Sequence, residues 1–167
     1  NFNKIKREIL VQCIQNSFGK VFFDIKLEDL PDRNEFKEVT YKTVNSIKKA
    51  IKFLFENLLV IDRRLLPYNN QLIFITYFFN EIIEPNEKQI NKLKTWFWTT
   101  TYSNYFTIYS LSKIRLSFEQ FKRFIKDENE NPIYYDNNIN PFSTADLPKT
   151  VSLGSVRSKA LILFLLN

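Results

Sequence analysis

The chain has 167 residues and a formal net charge of +6, with no histidine, one cysteine and two glycines. That length leaves room for one domain with a substantial core, and the composition excludes from these residues His-dependent hydrolysis, HNH-type nuclease chemistry, zinc sites with His ligands and a glycine-rich phosphate loop. Hydrophobic residues make up 44% of the chain, which argues against disorder, and no apolar run approaches the roughly 18 residues a membrane span needs.

Cys13 has no second cysteine to pair with, which fits a reducing cytoplasm; its expected role is that of a small buried hydrophobe. The chain begins at Asn1, contains no Met and stops inside an apolar run. The expectation is therefore a single helical domain, residues 1–167, that is a piece of a longer multidomain protein, with an oligomeric state the sequence leaves open.

Residues 4–17 place Ile5, Ile9, Leu10, Cys13 and Ile14 at helical spacing, with Gly19 as the left-handed stop. The stretch KVFFDI (20–25) is β-rich but short, so periodicity does not choose between an extended link and a helix start. Pro31 marks a turn. A second helix is predicted over 35–59, with Asn34 as its N-cap and Val44, Ile47, Ile51, Leu54, Phe55 and Leu58 as its apolar stripe. Pro67 fixes the entry to a third helix, 71–83, which is apolar nearly all round and so reads as the central buried element.

After Pro85, Asn86 caps a helix over 87–100 with Ile90, Leu93 and Trp96 or Phe97 turned inward. The hydroxyl-rich TTTYSNY (99–105) reads as a helix-poor junction. Residues 108–126 form the next helix, with Leu111, Ile114, Phe118, Phe121 and Ile125 on its inner side. A long polar loop follows, 127–148, ordered in part by Ile133, Tyr134, Tyr135 and Phe142; then Ser152 or Ser155 caps a last helix over about 156–166. The predicted fold class is all-α, a compact multi-helix domain of about six helices with that loop before the last. Its expected core is the hairpin holding Pro67, Tyr68, Phe78, Phe79, Trp96 and Trp98, because buried aromatic rings are the largest hydrophobic contributions a side chain makes.

Several of these residues carry a resemblance. Leu65-Leu66-Pro67-Tyr68, Gln71-Leu72, Phe78-Phe79, Lys92-Leu93, Trp96-Phe97-Trp98, residues 103–105 and the later Val156-Arg157-Ser158-Lys159-Ala160-Leu161 are similar to the helical region of the bacterial ParB-like domain proteins of the GmrSD type. Some members of that family are nucleotide-dependent restriction enzymes that act against modified phage DNA. The family's Asp-Gly-Gln-Gln-Arg nucleotide motif and its His-based nuclease motif are missing here. What the resemblance implies is a scaffold module to which no catalytic residue carries over; a cytoplasmic location, from the lone cysteine, and no cofactor or metal in this piece are further expectations. The module's implied partners are the other domains of the parent protein and DNA, and no membrane. The competing expectation is a helical protein–protein interaction domain unrelated to nucleic acid.

Three groups of residues are candidates for chemistry. Glu35-Phe36-Lys37, with Asp29 and Asp32 upstream, matches an E-x-K nuclease pattern, but at a helix start instead of on paired strands. Glu81 and Glu84 form a possible carboxylate pair at a helix end. The basic residues Lys113, Arg115, Lys122 and Arg123, with Arg63 and Arg64 nearby, suit phosphates, and Tyr102, Tyr105 and Tyr109 are neighbours able to stack on bases. Arg115 and Lys122 are seven residues apart and share a helix face. Reversing both to Glu is expected to abolish DNA binding and to leave the melting temperature nearly unchanged.

Overall fold

The computed structural model describes residues 2, 5–136 and 148–167. Among these there are seven α-helices and no strand: α1 Arg7–Asn16, α2 Arg33–Leu58, α3 Asn69–Glu81, α4 Glu87–Tyr102, α5 Tyr105–Ile108, α6 Leu111–Lys126 and α7 Val156–Leu166. The extra helix relative to the predicted six is α5, a single turn. Residues Phe22–Asp24, expected to be extended or helical, form a 3₁₀ turn. Gly19 takes the left-handed conformation predicted for it (φ 81°). No helix among the described residues is long and apolar enough to cross a membrane.

α3 is the axis of the fold. Every residue from Gln71 to Asn80 is buried, as expected for a helix without a polar face. α2 makes the most extensive packing against it, and α1 and α6 also contact it. Phe74 lies at the centre, stacked on Trp96 with ring centroids 5.6 Å apart and edge-on to Phe118 and Phe121 at 5.2 and 5.3 Å. Phe78 stacks on Phe124 at 5.9 Å and meets Phe79 edge-on at 5.2 Å. Trp96 is 1% exposed, and Phe78, Phe79 and Pro67 are buried. Trp98 and Tyr68 are half-buried; Trp98 stacks on Tyr102 outside the central ring cluster.

The structure corrects several details. The N-cap of α2 is Asp32, not Asn34: one Asp32 carboxylate oxygen accepts from Asn34 N at 2.8 Å and Glu35 N at 3.0 Å. An acceptor there satisfies the free first-turn amides, and its negative charge suits that end of the helix. The buried stripe of α2 is Thr43, Ser46, Ile47, Ala50, Phe53, Leu54 and Leu58, whereas Val44 and Phe55 are exposed. The inner face uses small and hydroxyl residues because α2 lies close to α3. The Ser46 hydroxyl donates to Phe79 O, 3.3 Å away, across that contact.

α4 also runs on through the expected junction to Tyr102. The hydroxyls of Thr100 and Thr101 donate to Phe97 O at 3.1 and 2.8 Å, so they are satisfied inside the helix instead of ending it. In α6, Leu111 is exposed at the first turn and Phe124 fills the core. Of the loop anchors, Ile133 is buried, Tyr134 half-buried and Tyr135 exposed, while Phe142 lies outside the described residues. Ser155 caps α7, accepting from Ser158 N.

Candidate functional site

The basic residues of α6 are held by protein partners. Lys113 pairs with the buried carboxylate of Asp136. Arg115 grips Asp24 with two parallel bonds, Nε and Nη2 each 2.5 Å from a carboxylate oxygen, and its guanidinium lies 5.2 Å from the centre of the Phe23 ring. The Arg115 hydrogen bond holds the Asp24 carboxyl below its ordinary value of 3.8. Lys122 donates to Gly19 O at 3.0 Å and pairs with Glu119 at 2.8 Å. Arg123 is exposed.

Three of these four cations therefore stitch α6 to the segment after α1 and to residue 136. Arg115 reversed to Glu would set a carboxylate against Asp24, so the structure leads to an expected fall in the melting temperature of the double reversal, where the helical wheel alone led to none. The stacking residues divide likewise. Tyr105 and Tyr109 are buried, and their hydroxyls donate to Tyr134 O at 2.8 and 3.3 Å. Tyr102 is exposed and stacked on Trp98.

The carboxylate candidates also have structural work. Asp29 pairs with Lys20 and accepts from Lys26 N, and Asp32 caps α2. Glu35-Phe36-Lys37 lies in the first turns of that helix, and Glu81 and Glu84 are exposed. Among the described residues, no group of three or more His, Cys, Asp or Glu is placed to hold a metal ion.

Arg63 and Arg64 belong to a different feature. The 3₁₀ turn Arg63–Leu65 is capped by Asp62, which accepts from Arg64 N at 2.8 Å and Arg64 Nε at 2.9 Å. These bonds hold the Asp62 carboxyl well below the usual carboxylate range. The buried Leu65, Leu66 and Pro67 then turn the chain, and Tyr68 leads in extended conformation into α3. The Gln71 side chain fastens that entry. Its Oε1 accepts from Tyr68 N at 3.3 Å, and its Nε2 faces Phe97 O, Thr100 Oγ1 and Thr101 Oγ1 at 3.2, 3.0 and 2.9 Å. The Tyr68 hydroxyl reaches Asn104 Oδ1 at 3.4 Å and Thr107 Oγ1 at 3.2 Å. From α7, Lys159 Nζ donates to Leu66 O at 3.0 Å.

Between the turn, the start of α3 and Lys159 lies a pocket of about 420 Å³, lined by Arg63, Arg64 and Lys159, by Tyr68 and Asn69, and by apolar walls. Among the described residues no carboxylate lines it. Arg63 Nε is buried without a hydrogen-bond partner among the described residues. Burial, and then the charge of Arg63, lower the Lys159 pKa from its ordinary value.

No family model, curated protein or solved structure matches this chain.

The pocket is thus a concave, electropositive feature lined by three cations and, among the described residues, by no carboxylate. It suits an anionic ligand. The sequence singled out Arg63 and Arg64 but placed them with α6, and it did not mark Lys159. The available signal was a lysine leading into the apolar run of α7, one turn after its Ser155 cap.

Proposed function

We propose that the chain is a non-catalytic helical module of a GmrSD-type, nucleotide-dependent defence nuclease, holding the other domains of its parent protein in position. One observation carries this reading: the segments that bear the resemblance, spread from residue 65 to residue 161, interlock around the start of α3. Gln71 bonds to Phe97 O within Trp96-Phe97-Trp98, Tyr68 reaches Asn104, and Lys159 bonds to Leu66 O.

DNA contact through α6 is no part of the proposal, because Lys113, Arg115 and Lys122 are engaged in holding the domain together. The competing reading, a protein-interaction domain unrelated to nucleic acid, draws on exposed apolar side chains such as Tyr41 and Phe55 of α2 and Phe164 and Leu165 of α7.

Two observations test the proposal. The complete gene is expected to encode an Asp-Gly-Gln-Gln-Arg motif upstream of this segment; a full reading frame without one overturns the assignment. The purified chain with Mg²⁺ is expected to hydrolyse no nucleoside triphosphate and to cleave no DNA. Turnover abolished by a single substitution in this chain overturns the non-catalytic role.

A further inference from the structure

We infer that the pocket formed by Arg63, Arg64 and Lys159 at the start of α3 is a binding site for a phosphate group. A cluster of guanidinium and ammonium groups recognises phosphate through short charge-assisted hydrogen bonds. Four features of the pocket converge on it. Three cations line it and no carboxylate does, among the described residues; the nearby Asp62 is engaged with Arg64. The buried Nε of Arg63 has no hydrogen-bond partner among the described residues, an arrangement that costs stability until an acceptor arrives. The pocket opens at the N-terminal end of a 13-residue helix, through Tyr68 and Asn69, where the helix dipole also favours an anion. Its volume of about 420 Å³ lies in the range of small-molecule sites, roughly 300–1,000 Å³.

The walls set a division of labour. Lys159 is anchored by its bond to Leu66 O, so its charge is fixed in place. Arg64 is exposed and bonded to Asp62 through Nε, which leaves its two terminal nitrogens to reach a ligand. Tyr68, Leu66, Pro67 and Leu153 supply apolar surface beside the cations, which suits the sugar or base attached to a phosphate ester. The inference stands apart from the module assignment: it needs only the pocket, and either can fail without the other.

The test uses the whole chain and three probes: pyrophosphate, ATP without Mg²⁺, and a short DNA duplex. Titration calorimetry at low salt measures affinity, and amide NMR shifts locate the site. Binding of pyrophosphate or ATP, with the largest shifts at residues 63–71 and around Lys159, supports a nucleotide phosphate. Binding of duplex alone with the same shifts supports a backbone phosphate. Charge-assisted hydrogen bonds of this kind are each worth about tenfold or more in affinity, so Arg63→Gln and Arg64→Gln are each expected to weaken binding by about that factor, and Arg123→Gln to leave it unchanged. Arg64 is exposed, so its substitution keeps the test informative if Arg63→Gln destabilises the fold. Absence of binding by all three probes, or binding that Arg64→Gln and Arg123→Gln weaken equally, overturns the inference.

Discussion

Gln71 is the polar side chain on which the entry to α3 depends. It is 0% exposed and sits where α3 meets α4. Its two amide hydrogens are shared among Phe97 O, Thr100 Oγ1 and Thr101 Oγ1, and its oxygen takes Tyr68 N. Replacement by Leu keeps the volume close and removes all of these bonds. Phe97 O retains the two threonine hydroxyls, so its loss is small. Tyr68 N–H is left without an acceptor, at about 1–3 kcal/mol, and the lost amide bonds add about 1 kcal/mol more. The added apolar surface offsets part of this, leaving a destabilisation of about 2–3 kcal/mol. For a domain of this size that is a fall in melting temperature of about 4–12 °C. Gln71→Glu should be worse at neutral pH, because a carboxylate presents lone pairs to Phe97 O where a donor is needed. Burial favours the protonated acid there, so the deficit should shrink as pH falls and the acid O–H replaces the lost donor. Urea unfolding of the parent and both variants measures these differences. A change below about 0.5 kcal/mol for Gln71→Leu, the range of ordinary surface substitutions, would refute the role assigned to Gln71.

Trp96→Ala should cost about 3–5 kcal/mol, because the ring is enclosed by Phe74, Phe106 and Phe121. Trp98→Ala should cost clearly less, since that ring is half-buried; equal midpoints for the two in a urea titration would show that the aromatic centre is misplaced. Arg115→Glu should lower the melting temperature, and the charge swap Arg115→Glu with Asp24→Arg should recover part of the loss; a double-mutant cycle without coupling would remove the Arg115–Asp24 tether from the account. The Asp24 carboxyl titrates below its ordinary 3.8 in the fold, so its contribution is present above that value and is lost as pH falls through the folded pKa; Asp24→Asn should flatten the acid limb of a stability–pH profile. Burial pushes the Cys13 thiol up to about 12, so a thiol reagent at pH 8 should label it only as fast as the chain opens, and immediate labelling of the folded protein would contradict its placement.

Elements whose character is local were the ones legible in the sequence. α3 was readable because an unbroken apolar run of that length leaves no polar face to expose. The starts of α4 and α7 were readable because Asn86 and Ser155 sit just before helical patterns, and both side chains accept from third-position amides. The cap of α2 was missed because Asp32 and Asn34 are both suitable residues two positions apart, and the backbone course after Pro31 decides between them. The α2 stripe was rotated because Thr43, Ser46 and Ala50 do not count as apolar, although a close helix–helix contact favours small side chains. The continuation of α4 past Thr100 to Tyr102 was missed because propensity sees hydroxyls competing with the backbone, whereas Gln71, about 30 residues earlier, supplies Thr100 and Thr101 with a partner. The Arg115–Asp24 tether joins residues 91 apart, and the meeting of Arg63 with Lys159 is as remote. No local pattern records such pairs, so the basic surface inferred for α6 and the pocket left unnoticed beside α7 share one cause.

The proposed scaffold role is tested most directly by sedimentation of this chain with the other domains of the multidomain protein proposed above, expressed separately. The account predicts one co-sedimenting species containing both. Two independent boundaries, with each part folded, would contradict it.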